Sequence, residues 1–158
     1  MATKTRTAGY TTLKPDVRFN SLLVSKFINC LMNCGEKATA TRVFYDAMDL
    51  IHKRVPEVSP VEVFTQAIEN VKPSLEVRSR RVGGANYQVP MQVKPHRQQS
   101  LSIRWLIAAV RSKSGHPAYL RLADELLAAS RREGEAIAKR EQTVKMAEAN
   151  KAFSHFAW

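Results

Sequence analysis

With 158 residues, 44% hydrophobic and 25% charged, the chain is long enough to bury one core and too apolar for general disorder. Its 25 Lys and Arg against 14 Asp and Glu give a formal charge of +11, a field that draws polyanions, either nucleic acid or an anionic membrane surface. No stretch approaches the roughly 18 apolar residues that a membrane-spanning helix needs, which leaves nucleic acid as the stronger reading.

The first 15 residues are polar, basic and threonine-rich with no apolar core segment, which predicts a mature cytosolic N-terminus. From Asn20 to Cys34 apolar residues recur at Val24, Phe27, Ile28 and Leu31, a helical period, with Gly35 as a C-terminal cap. A second helix starts near Thr39, with Val43, Phe44, Ala47, Leu50 and Ile51 on its apolar face, and ends before Pro56. Ser59, Pro60 and Glu62 spell a capping box at the head of a third helix, which carries Val61, Phe64, Ile68 and Val71 and stops at Pro73.

Period-2 alternation then replaces the helical period. Leu75 to Val93 predicts a β-hairpin around a Gly83-Gly84-Ala85-Asn86 turn, with Tyr87, Val89 and Met91 alternating after it. Pro90 makes the second strand an edge, and a lone two-stranded ribbon is marginal, so the hairpin is expected to project from a helical body as an arm. Three more helices follow: Gln98 to Ser112 with Ile103, Leu106, Ile107 and Val110 inward, then one with Leu120, Ala123, Leu126 and Leu127. The last runs from Glu133 to about Asn150, with a narrow stripe of Ile137, Val144 and Ala147, and a short aromatic tail closes the chain. The expected architecture is mainly α: a six-helix domain over 15–158 with one protruding hairpin arm at about 75–93, preceded by a flexible basic N-terminal tail over 1–14.

From Val77 to Arg104 the chain carries six Lys or Arg and no Asp or Glu. Over the wider stretch from Lys72 to Lys113, nine cations face one acid, Glu76, so pairing within the stretch cannot neutralise them. Arginine, with its planar fork, suits phosphate better than a point charge does. Tyr87 and Trp105 can stack on unpaired bases. The apolar neighbours Leu101 and Ala108 place Trp105 in the core, and Tyr87 is the more exposed of the two.

Catalysis finds little support. His52, His96, His116 and His155 lie on different elements without metal-ligand spacing, and Gly83-Gly84 lacks the lysine and flanking elements of a nucleotide loop. Cys30 and Cys34 match neither a redox nor a zinc pattern and read as reduced residues near a core. Asp46, Asp49, Asp124 and Glu125 read as acids on solvated helix faces, and the alternating charges of the last helix read as surface ion pairs. No cofactor, metal or catalytic residue is assigned.

Several blocks carry a resemblance. The run from Leu75 to Pro90, the block Ser100-Leu101-Ser102-Ile103-Arg104-Trp105, and the closing Lys139-Arg140-Glu141 and Met146 to Phe153 resemble, in the same order, the seventh protein of the small ribosomal subunit, bacterial type. The resemblance implies a non-enzymatic, cytoplasmic ribosomal protein, a primary binder of small-subunit rRNA that organises the 3′ domain of the head. It implies rRNA contact at Lys4, Arg6, Lys37, Arg78, Arg97, Arg104, Arg111 and Lys113. It also implies a hairpin tip near exit-site tRNA and the mRNA path, at Arg80, Arg81, Gly83, Gly84, Ala85, Asn86 and Tyr87, with other small-subunit proteins as neighbours. The chain departs from the family pattern at Glu36, Val144 and Ala157 and in the spacing of Lys4 and Arg6. The competing expectation is a helical DNA-binding regulator that reads a major groove with the helix from Gln98.

Overall fold

The computed structural model describes residues 13–156, and the basic tail with Lys4 and Arg6, like Ala157, lies outside the described residues. Six α-helices and one hairpin follow in the order α1 Leu22–Leu31, α2 Lys37–Arg54, α3 Pro60–Val71, β1 Leu75–Val82, β2 Ala85–Gln92, α4 Pro95–Ser112, α5 Ala118–Ser130 and α6 Glu135–Ala149. A 3₁₀ helix, Lys151–Phe156, comes last. The mainly α fold with one hairpin is therefore as expected.

The core forms where the apolar faces of all six helices meet. Phe27, Phe44 and Phe64, one each from α1, α2 and α3, lie with ring centroids 5.2–5.6 Å apart and are fully buried. Each buried ring removes enough apolar surface from water to contribute about 1.5–3 kcal/mol. Leu106 from α4, with Leu122 and Leu126 from α5, completes the centre. Within each helix the inward stripe is shifted slightly from the predicted one: Met48, Val63 and Leu122 are buried, while Val43, Leu50, Val61, Leu120, Leu127 and Val144 are half-buried at its edge. A helical repeat fixes which side of a helix is apolar more firmly than which residues sit at the middle of that side.

Helix ends differ more. Ser59 precedes Pro60 as predicted, yet its side chain makes no cap; its carbonyl accepts from the amides of Glu62 and Val63 instead. Cys34 has left the helix with φ +51 and is exposed, as is Cys30, so neither cysteine is near the core. Asp16 organises the entry to α1: its carboxylate accepts from the amides of Arg18 and Phe19 at 3.1 Å and from the Tyr45 hydroxyl at 2.9 Å. Arg18 then lies across the Phe19 and Tyr45 rings and forms an ion pair with Asp49 on α2.

Glu125 corrects the reading of the acids. It is fully buried, whereas Asp124 beside it is exposed and pairs with Arg54. One Glu125 oxygen accepts from Lys113 Nζ at 2.6 Å and the other from the Ala136 amide at 3.0 Å. A single carboxylate thus joins the end of α4, the middle of α5 and the uncapped start of α6. Gly134, φ +96, is required here, because a Cβ would stand 2.9 Å from the Glu125 carboxylate. On α6 the predicted surface pairs give way to other contacts: Lys139 reaches Gln142, and Arg140 donates to the Asn70 carbonyl at 2.6 Å.

Candidate nucleic-acid interface

The hairpin is joined by a two-residue loop, Gly83-Gly84, with φ of +58° and +89°. Paired positive φ values are what a primed turn requires and what glycine supplies without strain. Ala85 and Asn86, predicted within the turn, instead begin β2, opposite Val82 and Arg81. This register runs without interruption to Leu75 and Gln92, which divides the side chains between two faces.

One face carries Glu76, Arg78 and Arg80 across from Met91, Val89 and Tyr87; the other carries Ser79 and Arg81 across from Gln88 and Asn86. The first face is held against the body. Val89 is fully buried, Glu76 is buried, and α6 and the 3₁₀ helix pack against the strands. Tyr87 is half-buried rather than open, its ring 5.4 Å from that of Phe153. The second face, with Arg81 and the Gly83-to-Asn86 tip, is exposed. Arg80 and Arg81, adjacent in sequence, therefore serve opposite faces.

At the hairpin root, buried Glu76 sits between two predicted RNA ligands. Its Oε1 accepts from Arg78 Nε at 2.8 Å and its Oε2 from Arg97 Nε at 3.3 Å. The carboxylate cancels one of the two positive charges and holds both guanidinium groups, Arg78 through its Nε and Nη2 and Arg97 through its Nε.

Arg97 also begins a stripe along α4. Arg97, Arg104 and Arg111 are seven residues apart, so they lie on one side of the helix at intervals of about 10.5 Å. A groove of about 550 Å³ runs beside them between α1 and α4, lined by Lys26, Ser100, Arg104, Ala108 and Arg111 among others. Small Ser100 and Ala108 between the arginines allow a nucleic-acid backbone to approach the helix. Lys26, which the sequence reading missed, is set beside the groove by a 2.6 Å bond to Gln99; the period of α1 alone did not reveal that its polar side borders α4.

The remaining predicted ligands occupy varied settings. Arg111 donates to the Leu31 carbonyl at 3.2 Å, tying α4 to the end of α1. Lys113 is half-committed to Glu125. Lys37 begins α2 directly after Glu36 at the N-cap position, so a carboxylate stands beside the helix N-terminus and offsets part of the positive charge there. Trp105 is half-buried at the edge of the core rather than within it: of the two neighbours that placed it there, Leu101 is buried and Ala108 is exposed. Acids from outside the basic stretch, Glu69 and Glu125, pair with its Lys72 and Lys113, so more of its charge is compensated than the stretch alone implies. Among the described residues, no group of three or more His, Cys, Asp and Glu is placed to hold a metal, and no helix is long and apolar enough to cross a membrane.

A helical body with an arginine stripe along one helix and a small-residue tip on a basic arm defines a polyanion-binding scaffold. Comparison with known proteins gives the family. Residues 3–151 match the family model described as Ribosomal protein S7p/S5e. The chain is 65% identical over 144 residues to the small ribosomal subunit protein uS7 of Rhodopirellula baltica, covering 90% of this chain and 92% of that protein. It is 56% identical to the uS7 protein of Magnetococcus marinus over 91% of this chain and 92% of that one. It is 50% identical to that of Thermus thermophilus over 92% and 93%. The chain belongs to this ribosomal protein family, in its bacterial form. It is a structural, non-enzymatic constituent of the small ribosomal subunit, where its partners are rRNA and other ribosomal proteins. Family membership leaves the DNA-regulator reading without support.

Proposed function

We propose that this chain is a primary binder of the 3′ domain of small-subunit rRNA and that it nucleates assembly of the head. The observation that carries the reading is the Arg97–Arg104–Arg111 stripe beside the α1–α4 groove, in which exposed Arg104 has no acid partner among the described residues. Guanidinium groups at this spacing neutralise phosphates on an RNA helix laid along α4. Arg78, held by Glu76, extends the surface to the hairpin root, and Lys37 and Lys113 extend it to either side. Lys4 and Arg6 add contacts from the N-terminal tail.

The hairpin tip does a separate job in this reading. Arg80 and Tyr87 stand on the packed face, while Arg81, Gly83, Gly84, Ala85 and Asn86 form an exposed end with little side-chain bulk. Such an end can approach a second RNA closely, and the tip is assigned to exit-site tRNA and the mRNA path. Binding to isolated 3′-domain rRNA over a range of salt concentrations tests the account. Affinity should fall steeply as salt rises, and Arg78→Ala, Arg97→Ala and Arg104→Ala together should weaken it; a flat salt dependence or an unaffected triple variant would refute the reading.

A further inference from the structure

The acids of this basic chain are concentrated opposite in kind to the hairpin stretch. Residues 55–71 carry three glutamates, Glu57, Glu62 and Glu69, and no Lys or Arg. In the fold this segment is the loop before α3 together with α3 itself, and its outward side borders a groove of about 620 Å³. Val58 and Val61 provide apolar lining, Glu62 and Glu69 provide acidic lining, and Ser130 from the end of α5 contributes from the neighbouring helix. Val58 is 38% exposed, one of few large aliphatic side chains left open to solvent among the described residues. Glu69 is paired with Lys72, but the carboxylates of Glu57 and Glu62 have no partner among the described residues.

A solvated helix face accounts for part of this, since Glu62 in the first turn of α3 is favoured by the helix dipole. It does not account for exposed Val58 beside it, with half-buried Val61 on the same groove. The acids disfavour RNA on this side, and a purely apolar partner in the groove would bury the Glu62 carboxylate without a counter-charge, which is costly. A polypeptide carrying both cations and an aliphatic side chain satisfies the valines and the acids together.

We infer that this groove docks a basic, extended segment of another small-subunit protein, with an aliphatic side chain against Val58 and Val61 and Lys or Arg beside Glu57 and Glu62. The inference rests on membership of the small subunit and not on the arginine contacts to RNA, so the two fail separately. The probe is a labelled peptide alternating Lys and Arg with Leu, compared by fluorescence anisotropy with one of equal charge in which Ser replaces Leu. The full chain should bind the Leu peptide about tenfold more tightly than the Ser peptide, a gap that Val58→Ser narrows. The exposed pair Glu57→Lys with Glu62→Gln should weaken both by about tenfold or more, with rRNA binding undiminished and melting temperature lowered only by the small loss of the helix-dipole contact at Glu62. In reconstituted subunits, carbodiimide coupling should join Glu57 or Glu62 to a lysine of a different small-subunit protein. Equal affinity across peptides and variants, coupling only to a second copy of this chain, or rRNA alone protecting this face would overturn the inference.

Discussion

Lys113 and Glu125 form a pair in which the two members stand in unequal settings: the carboxylate is fully buried, while the ammonium is 41% exposed. Removing either one is not equivalent. Lys113→Ala strands a buried anion and should destabilise the fold by about 3 kcal/mol or more, whereas Lys113→Met with Glu125→Gln should recover most of that loss. Urea denaturation of the single and double variants measures the difference. Additive losses would show that the pair is not coupled.

Glu76 separates charge from geometry at the RNA surface. If affinity followed net charge alone, Glu76→Ala would tighten rRNA binding by removing an anion between Arg78 and Arg97. Because the carboxylate orients both guanidinium groups, the expected result is weaker binding, read at fixed salt against the 3′ domain. For Arg104→Ala, which has no such partner, the slope of log affinity against log salt should shrink by about one.

Acid and alkali each remove stability from the Arg18 corner, through different groups. The guanidinium of Arg18 holds the Asp49 carboxyl below its ordinary value of 3.8 by hydrogen bonding. The pair therefore contributes stability at neutral pH, lost as pH falls through that lowered value. Burial, then the hydrogen bond to Asp16, raises the Tyr45 hydroxyl above 10.0, so its contribution is complete below pH 10.0 and disappears as pH rises through the raised value. Thermal melts across pH should show Asp49→Asn with a flatter acid limb and Tyr45→Phe with a flatter alkaline one.

The Tyr87–Phe153 contact predicts a local effect. An aromatic pair of this kind contributes about 0.5–1.5 kcal/mol beyond area burial. Phe153→Ala should raise amide exchange across Tyr87 to Met91 while leaving exchange in the helices around Phe44 and Leu122 unchanged. Uniform loss of protection would show that the arm and the body open together.

The Gly83-Gly84 loop discriminates among substitutions by backbone alone, because a Cβ at either glycine meets nothing within 4 Å. Gly83→Asn should be tolerated, while Gly84→Val should cost about 1–2 kcal/mol of local hairpin stability through its φ of +89°. Nuclear magnetic resonance of the hairpin amides reports both.

The helices were readable because burial imposes a 3.6-residue period within each of them, as at Phe44, Ala47 and Ile51 or Phe64, Ile68 and Val71, and the hairpin because Gly83-Gly84 interrupts a period of two. Contacts between distant elements were not. Nothing near Glu125 distinguishes it from the exposed Asp124, since its partners Lys113 and Ala136 are supplied by other helices. The same holds for Glu76, whose pairing with Arg97 exists only once the hairpin folds back on α4, and for Tyr87, which looked open because Phe153 lies far along the chain. Ser59 shows the converse: a correct local motif whose side-chain bond is not made.

The arm is also bound to the order in which the chain is made. Tyr87 and Phe153 are sixty-six residues apart, so the 3₁₀ helix carrying Phe153 is synthesised well after the hairpin. At translation rates of about 5–20 residues per second, the hairpin strands exist for roughly 3–13 s before the residue that braces them has been added. During that interval the ring contact at Tyr87 is missing, while the root of the arm can already be held by the Glu76 bond to Arg97 on α4. A newborn copy thus passes through a stage in which the arm lacks one of its braces, and only addition of the 3₁₀ helix completes its packing.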